Sequence, residues 1–139
     1  MMNDDEFRQA LSMLDIYKSQ LDALANQAQI FQMSFEEALR GRETMKAFLG
    51  AKDGDEILVP VGASSFVFAK ASGNGKALVG IGNRMSAEKS LDDAVKHLDE
   101  SVKEISEAMK KIGETITETE TNARNLSMVV QQEYQRRQQ

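Results

Sequence analysis

No cysteine and no tryptophan occur in this chain, Pro60 is its only proline, and aromatic residues make up only 6% of it. The lack of cysteine excludes disulfides and thiolate metal sites and suits a reducing compartment, so a cytoplasmic location is expected. Few aromatics beside 28% charged residues leave a large globular core under-supplied, a composition better suited to helices rich in surface. No run approaches the ~20 apolar residues that span a bilayer, and the opening Met-Met-Asn-Asp-Asp-Glu lacks the basic and apolar regions of a secretory signal. A soluble protein is therefore expected. A net charge of −5 and a pI near 5.0 repel phosphate backbones and give anionic lipid no polybasic surface. Neither nucleic acid nor membrane is expected as a partner.

Catalytic signatures are missing as well. His97 is the single histidine and falls off the apolar seam described below, where a solvated side chain is the ordinary outcome and no metal site assembles. The glycines at 73, 75, 80 and 82 do not form G-x-G-x-x-G, because Leu78 holds the third glycine position, and no phosphate-cradling G-x-x-x-x-G-K-[ST] occurs. Asp53, Asp55 and Glu56 could imitate paired catalytic carboxylates, but they lie in a glycine-containing loop without a histidine, and a solvated loop accounts for them better. No enzymatic activity, cofactor or metal is expected.

What the chain does have is a long repeat. Alternate steps of three and four from Phe7 reach Ala10, Leu14, Tyr17, Leu21, Leu24, Ala28, Phe31, Phe35, Ala38, Arg42, Met45 and Leu49, and only Arg42 is not apolar. The same stepping from Leu91 reaches Val95, Leu98, Val102, Ile105, Met109, Ile112, Ile116, Thr119, Ala123, Leu126, Val130 and Glu133, with Thr119 and Glu133 the exceptions. About six heptads of this pattern predict coiled-coil helices over residues 3–50 and 90–139. The two seams are equal in length, about 65 Å each at the rise of a helix, which predicts an antiparallel hairpin with Leu49 opposite Leu91 and Phe7 opposite Glu133. Asp4, Asp5 and Glu6 suit a helix start, Gly50 a stop, Ser90 with Asp93 a capping box, and Arg136 and Arg137 a last turn.

Between them, residues 51–89 change period and hold most of the glycines and the proline. Glu56-Ile-Leu-Val-Pro-Val61, Ser65-Phe-Val-Phe-Ala-Lys-Ala71, Lys76-Ala-Leu-Val-Gly-Ile-Gly82 and a short run at 85–89 read as four strands in two hairpins. Ser72-Gly-Asn-Gly75 reads as a hairpin loop, and Gly62-Ala-Ser64 and Asn83-Arg84 as tight turns. Apolar residues fall on both faces of these strands, and isolated hairpins are marginal in water, so the sheet should be completed by other subunits. The class is α+β: a long antiparallel two-helix coiled coil with two hairpins inserted at the bend, all of residues 1–139 forming one subunit.

The order helix, two hairpins, helix resembles the archaeal prefoldin alpha subunits. The residues that carry the likeness are Leu14-Asp-Ile-Tyr-Lys-Ser-Gln-Leu21, Asp55-Glu-Ile-Leu-Val-Pro-Val-Gly62 with Ser65-Phe-Val67, Val79-Gly-Ile-Gly82, and Glu88-Lys-Ser90 leading into Asp92-Asp-Ala94. The resemblance implies a hexamer of two alpha and four beta-type subunits whose hairpins join into β-barrels. It also implies an ATP-independent chaperone that captures unfolded client proteins at coiled-coil tips and passes them to a group II chaperonin.

Two sets of residues follow as candidate sites. Ile57, Val59, Val61, Phe66, Phe68, Val79 and Ile81 are candidates for intersubunit assembly. Phe7, Leu11, Met13, Leu14, Ile16, Leu126, Met128 and Val129 are candidates for the client-binding tip. Of these, Leu11, Met13, Ile16, Met128 and Val129 fall off the seam; either they meet a client or they widen the packing within the chain. The alternative to a chaperone is a structural coiled-coil scaffold or adaptor with the same assembly and no client.

Overall fold

The computed structural model describes residues 1–139. Helix α1 spans Asp4–Leu49 and α2 spans Leu91–Gln138, with strands β1 (Glu56–Gly62), β2 (Ser65–Lys70), β3 (Lys76–Gly82) and β4 (Met85–Ser90) between them. The chain forms two compact units, one of Met1–Gln32 with Glu107–Gln139, the other of Met33–Ser106.

Both helices begin on side-chain caps. Asn3 Oδ1 accepts the Glu6 backbone N–H at 2.8 Å while Asn3 Nδ2 donates to Glu6 Oε1 at 3.1 Å. Ser90 Oγ accepts the Asp93 N–H at 3.1 Å, which realises the cap expected from the sequence.

In the first unit the heptad pattern accounts for α1 residue by residue. Phe7, Ala10, Leu14, Tyr17, Leu21, Leu24, Ala28 and Phe31 are buried or half-buried, and every other α1 residue of this unit is exposed. On α2, Ile112, Thr119, Val130 and Glu133 are buried. Arg137 reaches Asp4, within one residue of the expected alignment.

In the second unit Arg42, the polar exception on the seam, pairs with Asp99 at 3.4 Å, again within one residue of that alignment. Here the helices bury more than a seam: Ser34, Gly41, Thr44 and Phe48 on α1 and Ala94, His97 and Ser101 on α2 are also withdrawn from solvent. Ser34, Gly41, His97 and Ser101 among them lie beside the second hairpin. Leu78, Val79 and Gly80 line one cleft of about 400 Å³ together with Ala38, Gly41, Met45, His97, Leu98 and Ser101. His97 is thus half-buried against β3 rather than solvated, a correction that off-seam position alone does not reveal.

The hairpins are two separate two-stranded antiparallel sheets, β1 with β2 and β3 with β4. Their registers are the same once shifted by 20 residues: Leu58↔Phe68 and Pro60↔Phe66 in the first correspond to Leu78↔Glu88 and Gly80↔Ser86 in the second. In each the register slips before the turn, leaving Val61 or Ile81 as the extra residue. Gly62 and Gly82 follow with φ of +92° and +102°. A Cβ at either would meet nothing within 4 Å, so backbone conformation and not space requires glycine there. Both turns then place two residues in the left-handed region, Ala63 and Ser64 in one, Asn83 and Arg84 in the other, as a type I′ turn demands. Leu-Val-Pro-Val-Gly at 58–62 and Leu-Val-Gly-Ile-Gly at 78–82 are the sequence trace of this repeat.

Ser72-Gly-Asn-Gly75 corrects one expectation. It joins the two sheets instead of turning a hairpin, since β2 and β3 do not pair. The Gly75 carbonyl accepts the Leu91 N–H at 2.8 Å, tying this connection to the start of α2.

Candidate functional site

In the unit of Met1–Gln32 and Glu107–Gln139, Leu11, Met13 and Ile16 on α1 and Met128 and Val129 on α2 are exposed apolar side chains. Each keeps between 37% and 55% of its surface open to solvent. Leu14 and Leu126, also candidates for the tip, are half-buried in the seam. Tyr134 is exposed on α2 and was missed by the sequence pattern, which marks apolar aliphatics more plainly than a tyrosine near a charged helix end.

Phe7 has a different setting. The Arg137 guanidinium lies over its ring, 4.5 Å from the centroid. Arg137 also donates from Nε to Glu133 Oε1 at 3.0 Å, from Nη1 to Asp4 Oδ1 at 2.6 Å and from Nη2 to the Met2 carbonyl at 3.1 Å. Arg136 adds a second fork on Glu133, Nε donating to Oε2 at 3.0 Å and Nη2 to Oε1. Glu133, only 6% exposed, therefore stays ionised. The hydrogen bonds of Arg136 hold its carboxyl down to about 2, with help from Arg137 and the Met2 N–H and against the cost of burial. Asp4 is likewise lowered, by its hydrogen bond to Arg137 and that residue's charge.

The hairpins divide their apolar residues between two faces. Ile57 and Val79, 8% and 5% exposed, are buried within the chain, and Val59 is half-buried. The opposite face of the first hairpin presents Leu58, Phe66 and Phe68, with Phe68 74% exposed and Leu58 its cross-strand partner. On the second hairpin Leu78 is 70% exposed and Ile81 and Met85 are exposed near the turn, as is Val61 near the turn of the first. The structure thus turns three of the seven assembly candidates inward, Ile57 and Val79 fully and Val59 in part, and brings Leu58, Leu78 and Met85 to the surface in addition. Period-two alternation was the only available signal, and it could not say which of two apolar faces was which.

A family model of prefoldin subunits matches residues 14–136 of this chain. The chain belongs to the prefoldin family. It is similar to a prefoldin subunit alpha of Methanococcus maripaludis, 33% identical over 92 residues that cover 66% of this chain and 62% of that relative. The aligned part therefore spans about six-tenths of the length of the curated relative. Among solved structures, a filamentous PFD from Methanocaldococcus jannaschii superposes with a TM-score of 0.64, 21% identity and 87% of this chain against 98% of that one. The prefoldin beta subunit from Thermococcus strain KS-1 gives 0.59, at 16% identity, over 95% of this chain and 96% of that one. Both share the fold.

In this prefoldin chain the loop acids have structural employment. Asp55 Oδ2 accepts the Lys52 N–H at 2.8 Å, its carbonyl accepts the Ala71 N–H at 2.9 Å, and Asp53 packs beneath Gly73. No helix of this prefoldin is long and apolar enough to cross a membrane.

Proposed function

We propose that this chain is a subunit of an ATP-independent holdase, which captures unfolded polypeptides at the open end of its paired helices and delivers them to a group II chaperonin. The observation that carries the reading is the exposure of Leu11, Met13, Ile16, Met128 and Val129 in one unit, apolar side chains that the chain's own packing leaves uncovered. Methionine adapts its shape to many partners, which suits a surface that meets no fixed sequence. Family membership supports a chaperone-type role. The exposed hairpin faces support assembly with beta-type prefoldin subunits, two alpha and four beta, in which the hairpins complete intersubunit barrels. Several arms would then hold one client by avidity, with no tight pocket on any of them.

Removal of residues 1–13 with 127–139 should abolish suppression of client aggregation in the absence of nucleotide, while the assembly survives. Normal assembly with undiminished protection would refute the assignment of capture to these residues. An assembly of the intact chain that never protects a client would favour a scaffold instead.

A further inference from the structure

The contacts around Arg137 have an anchored side and a loose side. The anchored side is Glu133, one helical turn away on α2, whose carboxylate is buried and held by two arginines. The loose side is Asp4, whose side chain is 80% exposed, and the carbonyl of Met2, which precedes α1. A planar guanidinium with fixed donors fits such a role, because it keeps the Glu133 bond while the Asp4 and Met2 bonds let go. Beneath it sits Phe7, the first seam residue, and the next seam positions inward, Ala10 and Val130, are buried. While the guanidinium is in place the Phe7 ring is covered by a cation rather than offered to an apolar ligand.

We propose that Arg137 is a strap that binds residues 2–7 to the end of α2 and keeps Phe7 from clients, so that release at Asp4 enlarges the capture surface by an aromatic side chain. This rests on the reading of the open helix end as the place of capture. The residues exposed at rest, Leu11, Met13 and Ile16, make the first contacts, and Phe7 joins once the first turn of α1 loosens. An unfolded polypeptide carrying a carboxylate beside an apolar residue has the chemistry to do this: the carboxylate replaces Asp4 on Arg137 and the apolar group takes the ring.

Because the chain has no tryptophan, Phe7→Trp provides a single fluorescent reporter at this position. In the full-length assembled protein its quenching by acrylamide should be low. Adding Arg137→Gln or Asp4→Asn should raise it, with opening increased roughly 5- to 30-fold, the change expected for losing a contact of this kind. The single variants R137Q and D4N should protect an unfolded client better than the native chain. Quenching that stays low in both double variants would overturn the strap. Raised quenching with client protection equal to or below the native level would overturn its inhibitory role. If the native assembly protects no client at all, capture at the helix end is itself wrong and the inhibitory role falls with it, whereas the quenching still reports whether the strap exists.

Discussion

At the scale of single residues, the acids at the helix ends set a pH dependence whose sign can be worked out. Glu133 titrates near 4.5 when unfolded and is held down to about 2 in the folded chain, chiefly by Arg136. A lowered carboxyl contributes stability that is fully present above pH 4.5 and is lost as pH falls through about 2. Asp4, lowered by Arg137 with Arg8 also nearby, acts in the same direction. The gap in thermal midpoint between the native chain and Glu133→Gln should therefore be widest above pH 4.5 and close toward pH 2. A gap of equal size at pH 7 and pH 2.5 would contradict this account. Gly113 offers a second test. It lies inside α2, is exposed, and a Cβ built on it meets nothing within 4 Å. Gly113→Ala should stabilise the chain by about 0.5–1 kcal/mol, because alanine has less backbone freedom to lose. Urea melts would detect it. Gly41→Ala is a weaker case, since its Cβ would come 3.6 Å from Leu98.

At the scale of elements, the helices were almost fully legible in the sequence and the hairpins only partly. A 3-4 repeat fixes which face of a helix is withdrawn, so the exposure of Leu11, Met13, Ile16, Met128 and Val129 followed from counting positions. Strands with apolar residues on both sides give no such direction, which is why Ile57 and Leu58 could not be told apart beforehand. The setting of Phe7 was illegible for another reason: a guanidinium bridging two chain ends depends on rotamers that heptad position does not specify. The 20-residue repeat of Leu-Val-x-Val/Ile-Gly was legible in principle and predicts matching turns. Those turns differ in quality. Asn83 suits a left-handed position, whereas Ala63 and Ser64 each resist it at a cost of about 1–2 kcal/mol. Ala63→Asn with Ser64→Gly should thus raise stability by about 1 kcal/mol or more, read from the unfolding midpoint; an unchanged or lower midpoint would mean the first turn is not of the primed type in solution.

At the scale of the whole molecule, the two faces of the hairpins allow folding and the proposed assembly to be tested separately. Phe68→Asp places a charge on an exposed face, and Ile57→Asp places one against the chain's own packing. The first should leave helix content near native while native mass falls to that of smaller species; the second should lower the thermal midpoint of the chain itself. A native mass left unchanged by Phe68→Asp would mean that the outward face takes no part in assembly. The equal registers of β1–β2 and β3–β4 carry a consequence for stoichiometry. If each ribbon joins one neighbour, a chain with two like ribbons is a connector of valence two. Connectors alone have no built-in reason to stop, so a finite particle would need a partner that offers a single joining edge.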